Sequence, residues 1–183
     1  MLIYIKSDIA RYKKYVNKSS LLLVLTQQGL WALIIYRVNS AIFQSKAPNY
    51  LKKLLLVFAV ISQKFVEVIS GISIPYAARI GYGCYIGHFG SIIINANAVI
   101  GNNCNISQGV TIGVSGRGDE RGVPIIGNNV YLGANAVVAG KISVGDGAVI
   151  GANSFVNKNV EANTTVLGVP AKKISDNNSE AYL

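Results

Sequence analysis

The sequence predicts a mainly β protein, a parallel β-helix preceded by an α-helical segment, and three features of the residues predict it. From Ile80 onward an aliphatic residue returns at every sixth position, and a glycine or small residue usually follows it. The first seventy residues lack that period and are basic and apolar instead. A period of six matches neither the 3.6 residues of an amphipathic helix nor the alternation of a simple strand. It describes short strands joined by regular corners, each coil stacking on the next.

The aliphatic slots are Ile80, Ile86, Ile94, Ile100, Ile106, Ile112, Ile126, Leu132, Val138, Val144, Ile150 and Val156, with Ala162 closing the series. One side chain per rung points inward, and the small residue beside it lets the backbone turn. No rung buries its own face, so coils stack at a strand spacing of ~4.8 Å. The position two residues before each slot is small or apolar throughout, as the corner of a narrow prism requires. Cys84 and Cys104 fall there on adjacent coils and read as small buried thiols.

Residues 1–71 read as a helical segment with two apolar runs, Leu21–Leu25 continuing into Leu30–Tyr36, and Leu54–Ile61. Pro48 and Asn49 mark the turn between them, and Gly71–Pro75 the passage into the first coil. Residues 1–70 carry ten Lys or Arg against Asp8 and Glu67, whereas residues 71–183 carry seven against six. The net charge of +9 therefore belongs to the helices, which argues against nucleic acid as the partner. Neither apolar run reaches the ~20 residues of a membrane span. Apolar helices flanked by lysines suit an anionic membrane surface; they equally suit packing on each other and on the end of the β-helix. No stretch reads as a signal peptide, so the expected location is cytoplasmic, peripheral on the inner face of the cell membrane if the helices bind it. The β-helix is expected over 72–174 and a polar, frayed tail over 175–183.

Two interruptions of the rhythm single out a site. From Ile86 to Ile94 the step is eight, and the extra residues surround His88, the only histidine. From Ile112 to Ile126 the step is fourteen, with the excess in the polar, glycine-rich stretch Val114–Val123. Arg117, Asp119, Glu120 and Arg121 in that loop are the candidate substrate contacts; the bland reading is that they solubilise it.

The run Gln108-Gly109-Val110-Thr111-Ile112-Gly113, the rungs Gly133-Ala134-Asn135-Ala136 and Gly151-Ala152-Asn153-Ser154, and the closing Gly168-Val169-Pro170-Ala171-Lys172 resemble the left-handed β-helix acyltransferases. The resemblance covers about half the chain. It is greatest to the serine acetyltransferase branch, including relatives that acetylate bacterial surface polysaccharides of the colanic acid type. It implies a left-handed coil, a homotrimer, acetyl-coenzyme A in the groove between neighbouring coils, no metal, and His88 as general base. A hydroxyl acceptor needs such a base to lose its proton as it attacks the thioester. The resemblance also places Gly113, Ala134 and Ala152 along the pantetheine, with Ser115 and Lys173 toward the nucleotide.

Two departures shape the expected acceptor. The serine branch has a second histidine before the proline that follows the loop, and an aspartate fifteen residues ahead of the catalytic histidine; here these positions are Val123 and Ser73. With the basic apolar helices, they lead to an expected sugar hydroxyl of a surface polysaccharide or its lipid-linked precursor. Serine O-acetylation for cysteine biosynthesis is the alternative, and a non-catalytic structural β-helix a further one. A β-helix hydratase with three histidine zinc ligands is excluded by the single histidine.

Overall fold

A computed structural model describes residues 1–183. Four helices open the chain: α1 (Leu2–Tyr15), α2 (Ser20–Thr26), α3 (Gln28–Gln44) and α4 (Asn49–Ser70). The Ser19 side chain caps α2, accepting from the Leu22 N–H at 3.3 Å. The apolar run expected to continue from Leu25 into Leu30 is broken at Gln27, where α2 and α3 meet at 96°. Gly71 ends α4 in the left-handed conformation, at φ 65°.

Fourteen strands follow. They are β1 (Ile72–Ser73), β2 (Arg79–Ile80), β3 (Ile92–Ile94), β4 (Val99–Ile100), β5 (Asn105–Ile106), β6 (Thr111–Gly113) and β7 (Ile125–Ile126). Then come β8 (Tyr131–Leu132), β9 (Val137–Ala139), β10 (Ser143–Val144), β11 (Val149–Ile150), β12 (Phe155–Val156), β13 (Thr165–Gly168) and β14 (Ala171–Ser175). They wind into three parallel faces: β1-β3-β6-β9-β12, β2-β4-β7-β10, and β5-β8-β11-β13 closed by antiparallel β14. The twelve aliphatic slots from Ile80 to Val156 are all buried and form the central column, while Ala162 is exposed. Each such side chain gains about 1.5–3 kcal/mol from burial.

Register shows how the interruptions are absorbed. Ile94 pairs with Ile112, eighteen residues on, the length of one regular coil. Ile80 pairs with Ile100, twenty on, and Ile100 with Ile126, twenty-six on. Both insertions therefore bulge at corners and leave the stack intact. Several corners use asparagine at positive φ, namely Asn103, Asn129, Asn135, Asn153 and Asn163. Asparagine tolerates that region better than other residues with a Cβ.

The helices cover the open edge of the first coil. Asp8 of α1 accepts from the Cys84 N–H at 3.0 Å, and the Tyr12 hydroxyl donates to the Ile86 carbonyl at 2.7 Å. From α3, the Tyr36 hydroxyl donates to the Ala78 carbonyl at 2.8 Å and accepts from the Ile80 N–H at 3.0 Å. Arg37 donates to the carbonyls of Ile80 and Gly81 and pairs with Asp8 at 2.9 Å. Strand-edge groups that would be left without partners are thus satisfied by side chains. Gly29 allows this approach, because a Cβ there would lie 2.2 Å from the Ile86 carbonyl oxygen. α4 packs on α3 through buried Ala59 and Val66 but turns Leu54, Val57, Phe58, Ile61, Phe65 and Val68 to solvent.

The tail after β14 is not frayed as expected. Its Ser179 is 1% exposed and its backbone N–H donates to the Gly147 carbonyl at 3.0 Å.

Candidate active site

His88 stands exposed on the corner between the third and first faces, in the two-residue bulge. Two consecutive positive φ values, Gly90 at 103° and Ser91 at 54°, make the bend. The corner is tied down from both sides. The Gly90 N–H donates to Ser70 at the end of α4 at 2.8 Å, and its carbonyl accepts from the Gly109 N–H of the next coil at 3.1 Å. The end of the last helix and the irregular rung therefore fix each other.

Below the imidazole lies a cavity of about 280 Å³ lined by Tyr15, Tyr85, Asn105, Ser107, Tyr131 and Tyr182 among others. Tyr15 and Tyr85 stack with centroids 4.3 Å apart, and Tyr131 and Tyr182 at 4.5 Å. No carboxylate lines the cavity, so nothing there acts as an orienting acid for His88. None of these lining residues was singled out from the sequence. Tyr85 and Tyr131 each stand one place before an aliphatic slot on the third face, which is the only signal they carry.

Along the same corner, below His88, come Ala134 and Ala152, linked through the Asn153 N–H donating to the Ala134 carbonyl at 2.8 Å. The Asn135 N–H joins them to Gln108 at 2.9 Å, so one column runs from the histidine past both alanines. Gly113 sits across the first face at the end of β6. A Cβ built on it would meet nothing nearer than 3.7 Å, so packing within the chain does not demand glycine here.

Ser115 begins the loop and pairs with Gly122 through two backbone hydrogen bonds of 3.0 and 3.1 Å. Arg117, Asp119, Glu120 and Arg121 are all exposed on it, across the first face from the His88 corner. The loop is braced by Lys141, whose Nζ donates to the Asp119 carbonyl at 3.0 Å. Lys173, on β14, is bonded to Glu161 at 3.0 Å and Asp176 at 2.6 Å, and these hydrogen bonds raise its pKa. Ser73 pairs with Ile93 beside the corner, and Val123 packs partly buried against the core. Both cysteines are free and buried; burial pushes the Cys104 thiol up to about 11 and that of Cys84 higher still. Neither is a nucleophile at neutral pH.

Residues 124–158 match the bacterial transferase hexapeptide (six repeats) family. Serine acetyltransferase of Helicobacter pylori (strain J99) is 34% identical over 159 residues, which make up 87% of each chain. The chain belongs to the serine acetyltransferase family. Within that family, serine acetyltransferase of Synechococcus elongatus is 33% identical over 86% of this chain. This chain spans only 61% of that relative's length. Serine acetyltransferase of Brucella abortus in complex with coenzyme A superposes with a TM-score of 0.83 at 30% identity, covering 96% of this chain and 68% of that one. The parallel β-helix expected from the repeat, left-handed as the resemblance implied, is the fold of this chain.

These relatives overturn the expected polysaccharide acceptor, since likeness over most of the chain runs to proteins named for serine. The reasons for that expectation were local. Ser73 and Val123 are two positions, and Tyr12, Tyr36 and Arg37 of α1 and α3 are used to cover the first coil.

Proposed function

We propose that this chain transfers an acetyl group from acetyl-coenzyme A to the hydroxyl of L-serine, with His88 as general base. The observation that carries the reading is the single imidazole of a serine acetyltransferase family member, held on an irregular corner beside a cavity of about 280 Å³. Acetyl-coenzyme A supplies the acyl group as a thioester. His88 takes the proton of the serine hydroxyl as that oxygen bonds to the acyl carbon, and returns it to the sulfur as the carbon–sulfur bond breaks. Gly113, Ala134 and Ala152 keep the backbone open for the pantetheine, and Ser115 lies toward the nucleotide end. Lys173 would serve a phosphate only by giving up its carboxylate partners. Arg117, Asp119, Glu120 and Arg121 stand on a loop long enough to reach a neighbouring coil, and the working unit is a homotrimer with the cleft between chains.

The test is release of free thiol from acetyl-coenzyme A with L-serine in the assay. Wild-type protein should turn over, and His88→Ala should be slower by roughly 10²–10⁴ with an unchanged melting temperature. Turnover by His88→Ala at the wild-type rate, or none by wild type with L-serine, overturns the reading.

The location that fits α4 is the inner face of an anionic membrane. Its outward side is apolar along most of its length, and Lys53 and Lys64 stand exposed on the helix. Residues 1–70 keep an excess of eight positive charges, which oppose a second copy meeting the same segment and favour an anionic surface. Wild-type protein should sediment with phosphatidylserine vesicles at low salt, and Phe58→Asp with Ile61→Asp should not; failure of wild type to sediment rejects this location.

A further inference from the structure

We propose that a cavity on the corner between the second and third faces binds a tetrahedral oxyanion, namely phosphate, a phosphate monoester or sulfate, with Arg11 of α1 as its principal partner. The His88 site lies on the other corner of the third face, so this is a second site.

Arg11 is 5% exposed. A charge held out of water is costly unless an opposite charge and hydrogen-bond acceptors stand beside it. The ion pairs of the chain join Arg37 to Asp8, Lys64 to Glu67, and Lys173 to Glu161 and Asp176; Arg11 takes part in none of them. Of its guanidinium nitrogens only Nη2 is used, donating to Asn105 Oδ1 at 3.2 Å. Nε is buried without a partner, and Nη1, also without one, is the end left open toward the cavity. The Tyr15 ring, with its centroid 5.6 Å from the guanidinium carbon, attracts the charge but accepts none of these N–H groups. The side chain is therefore placed to meet an acceptor that the chain itself does not provide.

The cavity measures about 410 Å³, and Leu183 is the single apolar residue of its wall. Lys14, on the same helix as Arg11, brings a second cation to it. The β-helix contributes Asn103 and Asn163, both at positive φ. Their Oδ1 atoms are turned onto Gly83 and Gly147 of the preceding coil, 2.3 Å from where a Cβ would stand, which leaves the amide N–H groups outward and without an acceptor. Asn178 on the tail does the same, since its Oδ1 accepts from the Glu180 N–H at 3.1 Å. Donors from α1, the coils and the tail thus converge from several directions. A tetrahedral dianion has oxygens to meet them all and two charges to match the two cations, whereas a carboxylate has two oxygens in one plane. Two acidic side chains share the wall. Both oxygens of Asp146 are held by Asn128, at 2.7 and 3.1 Å, and Glu180 is exposed and makes no ion pair with Arg11. Neither supplies the acceptor.

Equilibrium dialysis of the full chain against radiolabelled inorganic phosphate, with chloride holding the ionic strength constant, tests the site without any turnover. Wild type should bind phosphate saturably, and coenzyme A should not displace it. Arg11→Met keeps an unbranched apolar stem and should weaken binding by about 10- to 100-fold, the equivalent of one hydrogen bond to a charged group. Lys14→Gln changes an exposed residue that bonds to nothing else, and should weaken binding by about 2- to 5-fold. Sulfate as the stronger competitor identifies an inorganic ion, and glycerol phosphate as the stronger one identifies a monoester; both support the site. Competition by acetate as strong as that by sulfate rejects a tetrahedral ligand. No saturable binding by wild type, full displacement by coenzyme A, or equal binding by Arg11→Met overturns the site. Should Arg11→Met fail to fold, unchanged binding by Lys14→Gln overturns it instead.

Discussion

Arg37 does more than any other residue to join the two parts of the chain. It is 5% exposed, pairs with the equally buried Asp8, and donates to two carbonyls of the first coil. Burial alone would push the Asp8 carboxyl up, and Arg37 opposes that through hydrogen bonds and charge. Arg37→Ala would leave a carboxylate in an apolar setting and two carbonyls unpaired. Loss of one partner from a buried pair costs about 3–5 kcal/mol. Urea unfolding of the variant should therefore show a stability loss of that size, and a loss no larger than that of a surface substitution would show that water replaces the guanidinium. The proposed acetyl transfer does not use Arg37, so the damage should appear in stability before it appears in kcat.

Among the elements, the corner between the second and third faces carries a ladder of side chains rather than of strands. Asn102 donates from its N–H and its amide to Asn128 Oδ1, at 2.9 and 3.0 Å, and Asn128 donates in the same way to the Asp146 carboxylate, at 2.7 and 3.1 Å. The Asn128 N–H and amide hold the Asp146 carboxyl below the usual carboxylate range. Because the folded-state value is depressed, the contribution of the ladder is complete above the unfolded-state pKa of about 3.9 and is lost as pH falls through the folded-state value. Asp146→Asn should melt below wild type at pH 7, and the gap should close as the pH is lowered past that range. A gap that stays constant into acid would mean the charge is irrelevant.

The coils were legible in the sequence because each buries one aliphatic residue at a fixed interval, so a local pattern encodes a global stack. The His88 corner was legible for the converse reason, as a break in that pattern. The cover over the first coil was not, because Asp8, Tyr12, Tyr36 and Arg37 meet partners 29 to 76 residues away, and polar residues inside helices carry no periodic mark. Nor was Tyr182 legible, since its place depends on Asn105 and Tyr131, both remote in sequence.

At the scale of the whole molecule, the cleft assigned to acetyl-coenzyme A needs neighbours. Ile93 and Ile125, at 54% and 58% exposure, are aliphatic side chains facing outward from the first and second faces. Sedimentation equilibrium should return three times the chain mass of 19.5 kDa, and a mass of one chain would remove the shared cleft from the mechanism. Ile125→Lys should shift the population toward single chains and lower turnover with it.

A stack of parallel strands has no intrinsic reason to stop, since each terminal rung offers the next copy a template. Here the antiparallel return of β14 blunts one pole, and the side chains of α1 and α3 occupy the hydrogen-bonding groups of the other. The helical cover therefore sets the length of the rod. A chain deprived of residues 1–44 would present a raw rung at that pole alone, and would be prone to pair with a sibling through it rather than remain a discrete particle.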